Sequence, residues 1–270
     1  MNQTNFPPHL LSIAGTDPSG GAGQMADVKT FSALGTYSTS VITAVLAQNT
    51  QGVQKIHALP GDMIKAQLES VFEDISIDAV KIGMIADRET ALIVKQALDY
   101  YQPRFVVLDP VMIAKSGDML VDQAGLEAVR DILVPLADVI TPNLPEAAAL
   151  LGTTPPNDKN AMAAMLPALK QLGPSNILLK GGHLKGAESP DVMLVEGEVE
   201  WLVAPRVKTP NLHGSGCTLA SAVAALLPQR ATTGEAMRDA KAFMTEALLA
   251  SARLGVGKGK GPAHHFWSWW

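Results

Sequence analysis

Short apolar runs alternating with helical patterns constrain this chain most. Leu10-Leu11-Ser12-Ile13-Ala14, Ser40-Val41-Ile42-Thr43-Ala44-Val45-Leu46, Ala79-Val80-Lys81-Ile82-Gly83-Met84, Phe105-Val106-Val107-Leu108-Asp109, Val139-Ile140-Thr141 and Ile177-Leu178-Leu179-Lys180 read as strands. Most are continuously apolar instead of alternating, as strands covered on both faces are. Helical patterns lie between them, over about 24–34, 64–75, 88–100 and 123–133. The first is stopped by Gly35 at its C′ position. The second carries Ile64, Leu68, Val71 and Ile75 on one face. Such alternation predicts an α/β fold, a central, mostly parallel sheet flanked by helices on both faces.

The pattern changes at Asp191. Val192–Val195 and Val199–Val203, joined through Glu196-Gly197-Glu198, read as a small antiparallel hairpin near 191–203. No linker, repeat or low-complexity segment interrupts the chain, so residues 1–270 are expected to form a single domain. The composition, 47% hydrophobic and 17% charged, fills a large core. The net charge of −5 and the scattered basic residues speak against nucleic acid as a partner. One cysteine excludes an intrachain disulfide and a Cys-cluster metal site. The first residues do not form a signal peptide, and no apolar run approaches the ~18 residues of a membrane span. The expected setting is the cytoplasm, without membrane contact.

Open α/β sheets bind ligands beyond the carboxyl ends of their strands. Those ends here carry Gly15-Thr16-Asp17-Pro18-Ser19-Gly20-Gly21-Ala22-Gly23 followed by Asp27, Gln48-Asn49-Thr50, Met84, Asp109-Pro110, Thr141-Pro142-Asn143-Leu144-Pro145-Glu146 and Lys180-Gly181-Gly182-His183. The loop His213-Gly214-Ser215-Gly216-Cys217-Thr218 runs into an apolar helical stretch. Its glycines let N–H groups converge on an anion at a helix start. Cys217 at that start is expected to have a lowered thiol pKa. A glycine turn before a core helix with a small buried Cys would share this pattern. The chain has no G-x-x-x-x-G-K-[ST]. Its first loop is not G-x-G-x-x-G, and no acidic residue ends the second strand, which argues against a dehydrogenase.

These segments, with Ala47-Gln48-Asn49-Thr50, Lys81-Ile82-Gly83-Met84, Leu108-Asp109-Pro110-Val111-Met112, Ala114-Lys115-Ser116-Gly117-Asp118 and the tail Gly261-Pro262-Ala263-His264-His265-Phe266, occur in order along essentially the whole chain. The chain thereby resembles the ribokinase-like superfamily, and within it the hydroxymethylpyrimidine/phosphomethylpyrimidine kinases of thiamine biosynthesis. Cys217, where related kinases tend to carry Asp, points to the pyrimidine or pyridoxal branch. The resemblance implies ATP-dependent phosphorylation of 4-amino-5-hydroxymethyl-2-methylpyrimidine to the monophosphate, then to the diphosphate. It also implies Mg²⁺ and a homodimer, with a monovalent cation as a further candidate. A pyridoxal kinase is the nearest alternative; a non-catalytic pyrimidine-binding regulator is one of another class.

Residue roles follow from the same resemblance and from side-chain chemistry. The N–H groups of Gly214, Ser215, Gly216 and Cys217 would form an anion hole. Cys217, as thiolate or as thiol with a bound water, would accept the hydroxyl proton, so that Cys217→Ala lowers turnover by ~10²–10⁴. Lys180 would reach phosphate oxygens as a point charge. Asn143 and Glu146 match an N-x-x-E motif holding Mg²⁺ largely through water, with Asp109 in the same network; hard cations prefer such oxygen ligands. An acid at Glu146 also suits a helix start. Thr209 and Lys115 would lie on the ATP side. Gly15, Asp27, Gln48 and Met84 would bind substrate, Gln48 because its amide both donates and accepts, Met84 as an apolar wall. Adjacent His264 and His265 lack metal-ligand spacing, and the tail with Trp267, Trp269 and Trp270 reads as a docked terminus. Two departures from the family, Lys208 and Leu212, change the polarity of the segment entering the nucleotide side; Ser215 replaces a more usual Thr and keeps its hydroxyl.

Overall fold

The computed structural model describes residues 6–112 and 121–270. Eight strands form one sheet in the order β10-β9-β8-β7-β6-β5-β1-β2. They are β1 (His9–Ala14), β2 (Tyr37–Ile42), β5 (Ala79–Ile82), β6 (Phe105–Leu108), β7 (Val139–Ile140), β8 (Asn176–Leu179), β9 (Glu188–Val195) and β10 (Glu198–Pro205). From β2 across to β8 all pairs are parallel. The hairpin β9–β10 adds to the edge antiparallel to β8, so it extends the main sheet. Its turn is two residues, Glu196 and Gly197, both at positive φ (53° and 89°), the geometry that matches strand twist in tight hairpins.

Alternate residues on each strand face opposite layers, and both layers are apolar. Leu10, Ala79, Val107, Val139 and Leu178 meet α1 (Gly23–Ala33), α8 (Ser215–Leu226) and α9 (Thr233–Leu249). Leu11, Val80, Ile82, Leu108, Ile140 and Ile177 meet the opposite layer, which includes α2 (Gly61–Asp74), α3 (Arg88–Tyr101) and α5 (Leu144–Leu151). This double covering is why the strands read as continuous apolar runs. Each such fully buried Leu, Ile or Val contributes about 1.5–3 kcal/mol. Helix α8 is buried at every position from Thr218 to Leu226, as expected of a helix apolar all round. Among the described residues, no helix is long and apolar enough to cross a membrane.

One expected strand is two. The run 40–46 breaks at Thr43, where the chain leaves the main sheet and forms β3 (Ala44–Asn49), paired antiparallel with β4 (Gly52–Ala58) as a separate ribbon. Thr43 is the anchor. Its N–H donates to Ala14 O, its hydroxyl to Met84 O, and its carbonyl accepts from Leu59 N. β4 is largely exposed, which is why apolar patterning did not reveal it.

The chain order places a switch point at β1, whose neighbours are β2 on one side and β5 on the other. Connections diverge there, and a crevice opens beyond the strand ends.

Candidate active site

That crevice is a cavity of about 740 Å³, lined by residues from nearly every strand end named above. Its floor is made by two glycine loops pressed together. Asp17, fully buried, accepts hydrogen bonds from Ser19 N and Oγ, Gly21 N and Ala22 N, and from His213 Nε2 at 2.7 Å. Burial alone would raise the Asp17 pKa, but these donors hold it below the ordinary carboxylate value. Gly214 sits at φ 70°, and a Cβ there would meet Gly21 O, so both its conformation and its packing require glycine.

The second loop ends in the first turn of α8. Its helix starts earlier than the apolar pattern suggests, with Ser215, Gly216 and Cys217 as its opening residues. Their N–H groups have no intrahelical acceptor. Ser215 N–H turns back to Leu212 O (3.2 Å), so it is not available to the anion hole as expected; Gly216 and Cys217 line the cavity. Lys180, at the end of β8, stands beside this turn: a Cβ on Gly216 would lie 3.2 Å from Lys180 Nζ and 3.6 Å from Asp109 Oδ2. The helix start, the Lys180 ammonium and the Asp109 carboxylate thus converge beside Gly216, where the lack of a side chain leaves the backbone open to the cavity.

Lys180 Nζ lies 2.7 Å from Asp109 Oδ1 and 3.9 Å from Glu146 Oε2. Thr141 Oγ1 donates to Asp109 at 2.9 Å. Burial opposes charge on Asp109, yet Lys180 and Lys81 hold its pKa below the ordinary value. Burial likewise opposes the Lys180 charge, and Asp109 and Glu146 more than offset it, raising its pKa. Asn143 and Glu146 form a capping box at the start of α5: Asn143 Oδ1 accepts from Glu146 N (2.9 Å) and Glu146 Oε2 from Asn143 N (2.7 Å). The helix-start reading of Glu146 is therefore correct, and the same geometry brings its carboxylate to Lys180. Among the described residues, no three His, Cys, Asp or Glu side chains cluster as a self-sufficient metal site.

On the other side of Cys217 the walls are apolar. Gly15, Leu46 and Met84 meet so closely that a Cβ on Gly15 would stand 3.0 Å from both side chains. Ala44, Leu46 and Gln48 alternate on one face of β3; the latter two line the cavity. Gln48 thus reaches the cavity from the ribbon, not from the main-sheet edge. Thr16 fastens the ribbon down, its N–H donating to Ala44 O and its Oγ1 accepting from Leu46 N.

Two sequence expectations change here. Asp27 does not line the cavity. It is fully buried one layer behind, accepting from Ser12 Oγ, Ser221 Oγ and, with both oxygens at 2.9 Å, Lys81 Nζ. The Cys217 thiol pKa is raised, not lowered. Burial pushes it up; Lys81 pulls it down; Asp27 and Asp109 add to the rise, giving about 11. The helix start and one ammonium do not overcome desolvation plus two carboxylates.

Thr209 lines the far end of the cavity with Lys208 and Leu212, its Oγ1 3.1 Å from Ser251 Oγ. Lys115 lies outside the described residues. The C-terminal segment is docked through Trp267: His264 N–H donates to Ala247 O, both histidines are buried, and the Trp267 ring packs near Phe243 against the layer of α8 and α9. Trp269 and Trp270 are exposed, unlike the expectation, although Trp269 Nε1 donates to Ala33 O.

Lys81, Asp17 and His213 were missed as site residues. Lys81 carried a signal. A lysine inside Ala79-Val80-Lys81-Ile82, a strand covered on both faces, must have a buried partner. Arg206, which lines the cavity, was also missed. It donates to the carbonyls of Gly182, Leu184, Gly186 and Glu188 and shapes the loop after β8.

Comparison with known proteins agrees with this geometry. Residues 17–264 match the family described as phosphomethylpyrimidine kinase. The chain is 50% identical over 262 residues to a hydroxymethylpyrimidine/phosphomethylpyrimidine kinase of Salmonella typhimurium, covering 97% of this chain and 98% of that one. It is similar to the crystal structure of a Clostridium difficile phosphomethylpyrimidine kinase (43% identity, TM-score 0.79, 89% of this chain and 99% of that one). It also matches an ADP complex of Bacillus subtilis pyridoxal kinase (34% identity, TM-score 0.89, 96% and 97%). The fold is shared by both kinds of kinase, but the family match and the higher identities fall on one side. A family match over residues 17–264 and 50% identity along nearly the whole of both chains show that the chain belongs to the phosphomethylpyrimidine kinase family.

Proposed function

We propose that this chain, acting as one domain, transfers the γ-phosphoryl group of ATP to the hydroxymethyl oxygen of 4-amino-5-hydroxymethyl-2-methylpyrimidine, and then phosphorylates the monophosphate to the diphosphate, in thiamine biosynthesis. A bond forms between the attacking oxygen and the γ-phosphorus, the β–γ bridging bond breaks, and ADP leaves. The observation that carries this reading is the convergence of Lys180 and the α8 start beside Gly216 and Cys217.

The pyrimidine ring lies against the wall that Gly15, Leu46 and Met84 form together, with the Gln48 amide serving its aminopyrimidine edge. ATP occupies the end lined by Lys208, Thr209 and Leu212, with its phosphates toward Lys180 and Gly216. Phosphoryl transfer asks for in-line positioning and charge neutralisation more than for a strong base. That suits Cys217 as a neutral thiol whose sulfur takes a hydrogen bond from the substrate hydroxyl and orients it, while the proton passes late in the step to an oxygen of the transferring phosphoryl group. Asp109 and Glu146, with Asn143 beside them, are hard oxygen donors that fit Mg²⁺ held by one or two carboxylates, phosphates and water. The metal, when bound, neutralises phosphate charge.

The test is incubation with Mg-ATP and the pyrimidine, following products by mass, for the wild type and Cys217→Ala. Monophosphate and then diphosphate from the wild type, with turnover about 10²-fold lower in the variant, the scale of a misplaced reacting group, is the expected result. Full turnover by Cys217→Ala would remove Cys217 from the chemistry. The structural likeness to pyridoxal kinase favours a second reading; pyridoxal phosphate formed with the pyrimidine untouched would establish it instead.

A further inference from the structure

The C-terminal segment packs beneath the glycine loop that opens α8. His213 N–H donates to Gly261 O at 3.0 Å, and four residues on, the His265 ring meets Thr218 in the first turns of that helix. We propose that His265 is a positioning residue for the phosphate cradle, acting through Thr218. The proposal rests on the reading of the Gly216 and Cys217 N–H groups as that cradle.

Thr218 Oγ1 is 2.9 Å from Gly214 O and 3.1 Å from His265 Nε2. A hydroxyl has a single proton. Given to Gly214 O, it leaves Oγ1 to accept from the ring, so Nε2 carries hydrogen. The relay then runs from His265 Nε2–H to Thr218 Oγ1–H to the Gly214 carbonyl. Burial, with Lys29 and His264 nearby, holds the His265 pKa down to about 3, so the ring stays neutral and keeps one donor and one acceptor.

Gly214 O also accepts from Thr218 N at 2.8 Å. Two donors on one carbonyl fix the peptide plane that follows the left-handed Gly214, and so the direction in which the Gly216 and Cys217 N–H groups point. Neither Thr218 nor His265 lines the cavity. Their influence on turnover passes through Gly214. Asp17 holds the same loop from the opposite side through His213, so the cradle is braced at both flanks.

The experiment compares His265→Leu, Thr218→Val and their double variant with His265→Gln, whose side-chain amide can place an N–H near the Nε2 position. Each protein is first checked for native unfolding behaviour; Thr218→Val, close to isosteric, keeps the test open should His265→Leu not fold. Each single loss should lower kcat by about tenfold, the scale of a small misplacement of the reacting groups, with KM for both substrates unchanged. The double variant should be no worse than either single one, because one relay is cut twice. His265→Gln should recover most of the loss. Multiplying losses, a change confined to KM, or His265→Gln as poor as His265→Leu would overturn the relay. Gly216→Ala separates the underlying reading: full turnover there would sink the cradle itself, whereas an impaired Gly216→Ala with an unaffected Thr218→Val would sink only the relay.

Discussion

Lys81 Nζ stands 2.9 Å from both carboxylate oxygens of Asp27, and neither side chain has any solvent exposure. The pair sits behind Cys217, at the switch point of the sheet. Burial works against the Lys81 charge, but Asp27, Cys217 and Asp109 more than compensate, and its pKa is raised. Taking away the ammonium strands a buried carboxylate that also accepts from Ser12 and Ser221. Lys81→Met should therefore cost about 3–5 kcal/mol of folding stability, the scale of breaking a buried pair. Urea unfolding of the variant measures it. A loss no larger than that of an exposed ion pair, about 1 kcal/mol or less, would overturn the view that the buried pair holds the switch point together.

The raised thiol makes a chemical prediction. With a pKa of about 11, Cys217 is protonated at neutral pH, and only the thiolate is nucleophilic. Alkylation by iodoacetamide, followed by mass, should be slow at pH 7 and climb through pH 9 and above. Rapid modification at pH 7 that ATP does not alter would restore the thiolate reading.

Glu146 has two roles that one substitution separates. Glu146→Gln keeps an oxygen to accept from Asn143 N, so the helix start survives, but it removes the charge. Stability should change little, while the Mg²⁺ concentration for half-maximal turnover rises by about tenfold, as for loss of one hard ligand. Asn143→Ala should instead cost about 1 kcal/mol of stability through the lost cap. An unchanged Mg²⁺ requirement in Glu146→Gln would leave Glu146 as a cap alone.

His265 gives a stability-versus-pH prediction. Unfolded, an imidazole takes a proton near pH 6.5; folded, this one does so only near pH 3. Between those values the unfolded chain binds a proton that the native chain does not. Stability from this group is complete above pH 6.5 and falls as pH drops toward 3, by up to about 1.4 kcal/mol per unit. Denaturation of the wild type and His265→Gln at pH 7 and pH 5 should show the wild type losing more. Parallel losses would place the ring in contact with solvent.

Much of this was legible along the chain. The buried strands β1, β5, β6 and β8 announced themselves because a strand covered on both faces has no polar alternation, and the hairpin because two short β-forming runs flank Glu196-Gly197-Glu198. The ribbon was harder. Residues 40–46 look like one strand, and only the bonds Thr43 makes to Ala14, Met84 and Leu59 split it. Gln48 was correctly brought to the cavity, but on the wrong support. Asp27 was named for a surface it does not reach.

The sequence by itself determined what is local: which segments are buried strands, that an apolar helix follows the loop 213–218, and that an acid at Glu146 suits a helix start. Tertiary structure decided everything set by pairs distant in sequence. Asp17 and His213 are separated by 196 positions, Asp109 and Lys180 by 71, Asp27 and Lys81 by 54. The Cys217 pKa belongs to that second class. A helix start lowers a thiol wherever it occurs, but here desolvation and the charges folded around it raise it instead, and those fields exist only once the chain has closed on itself.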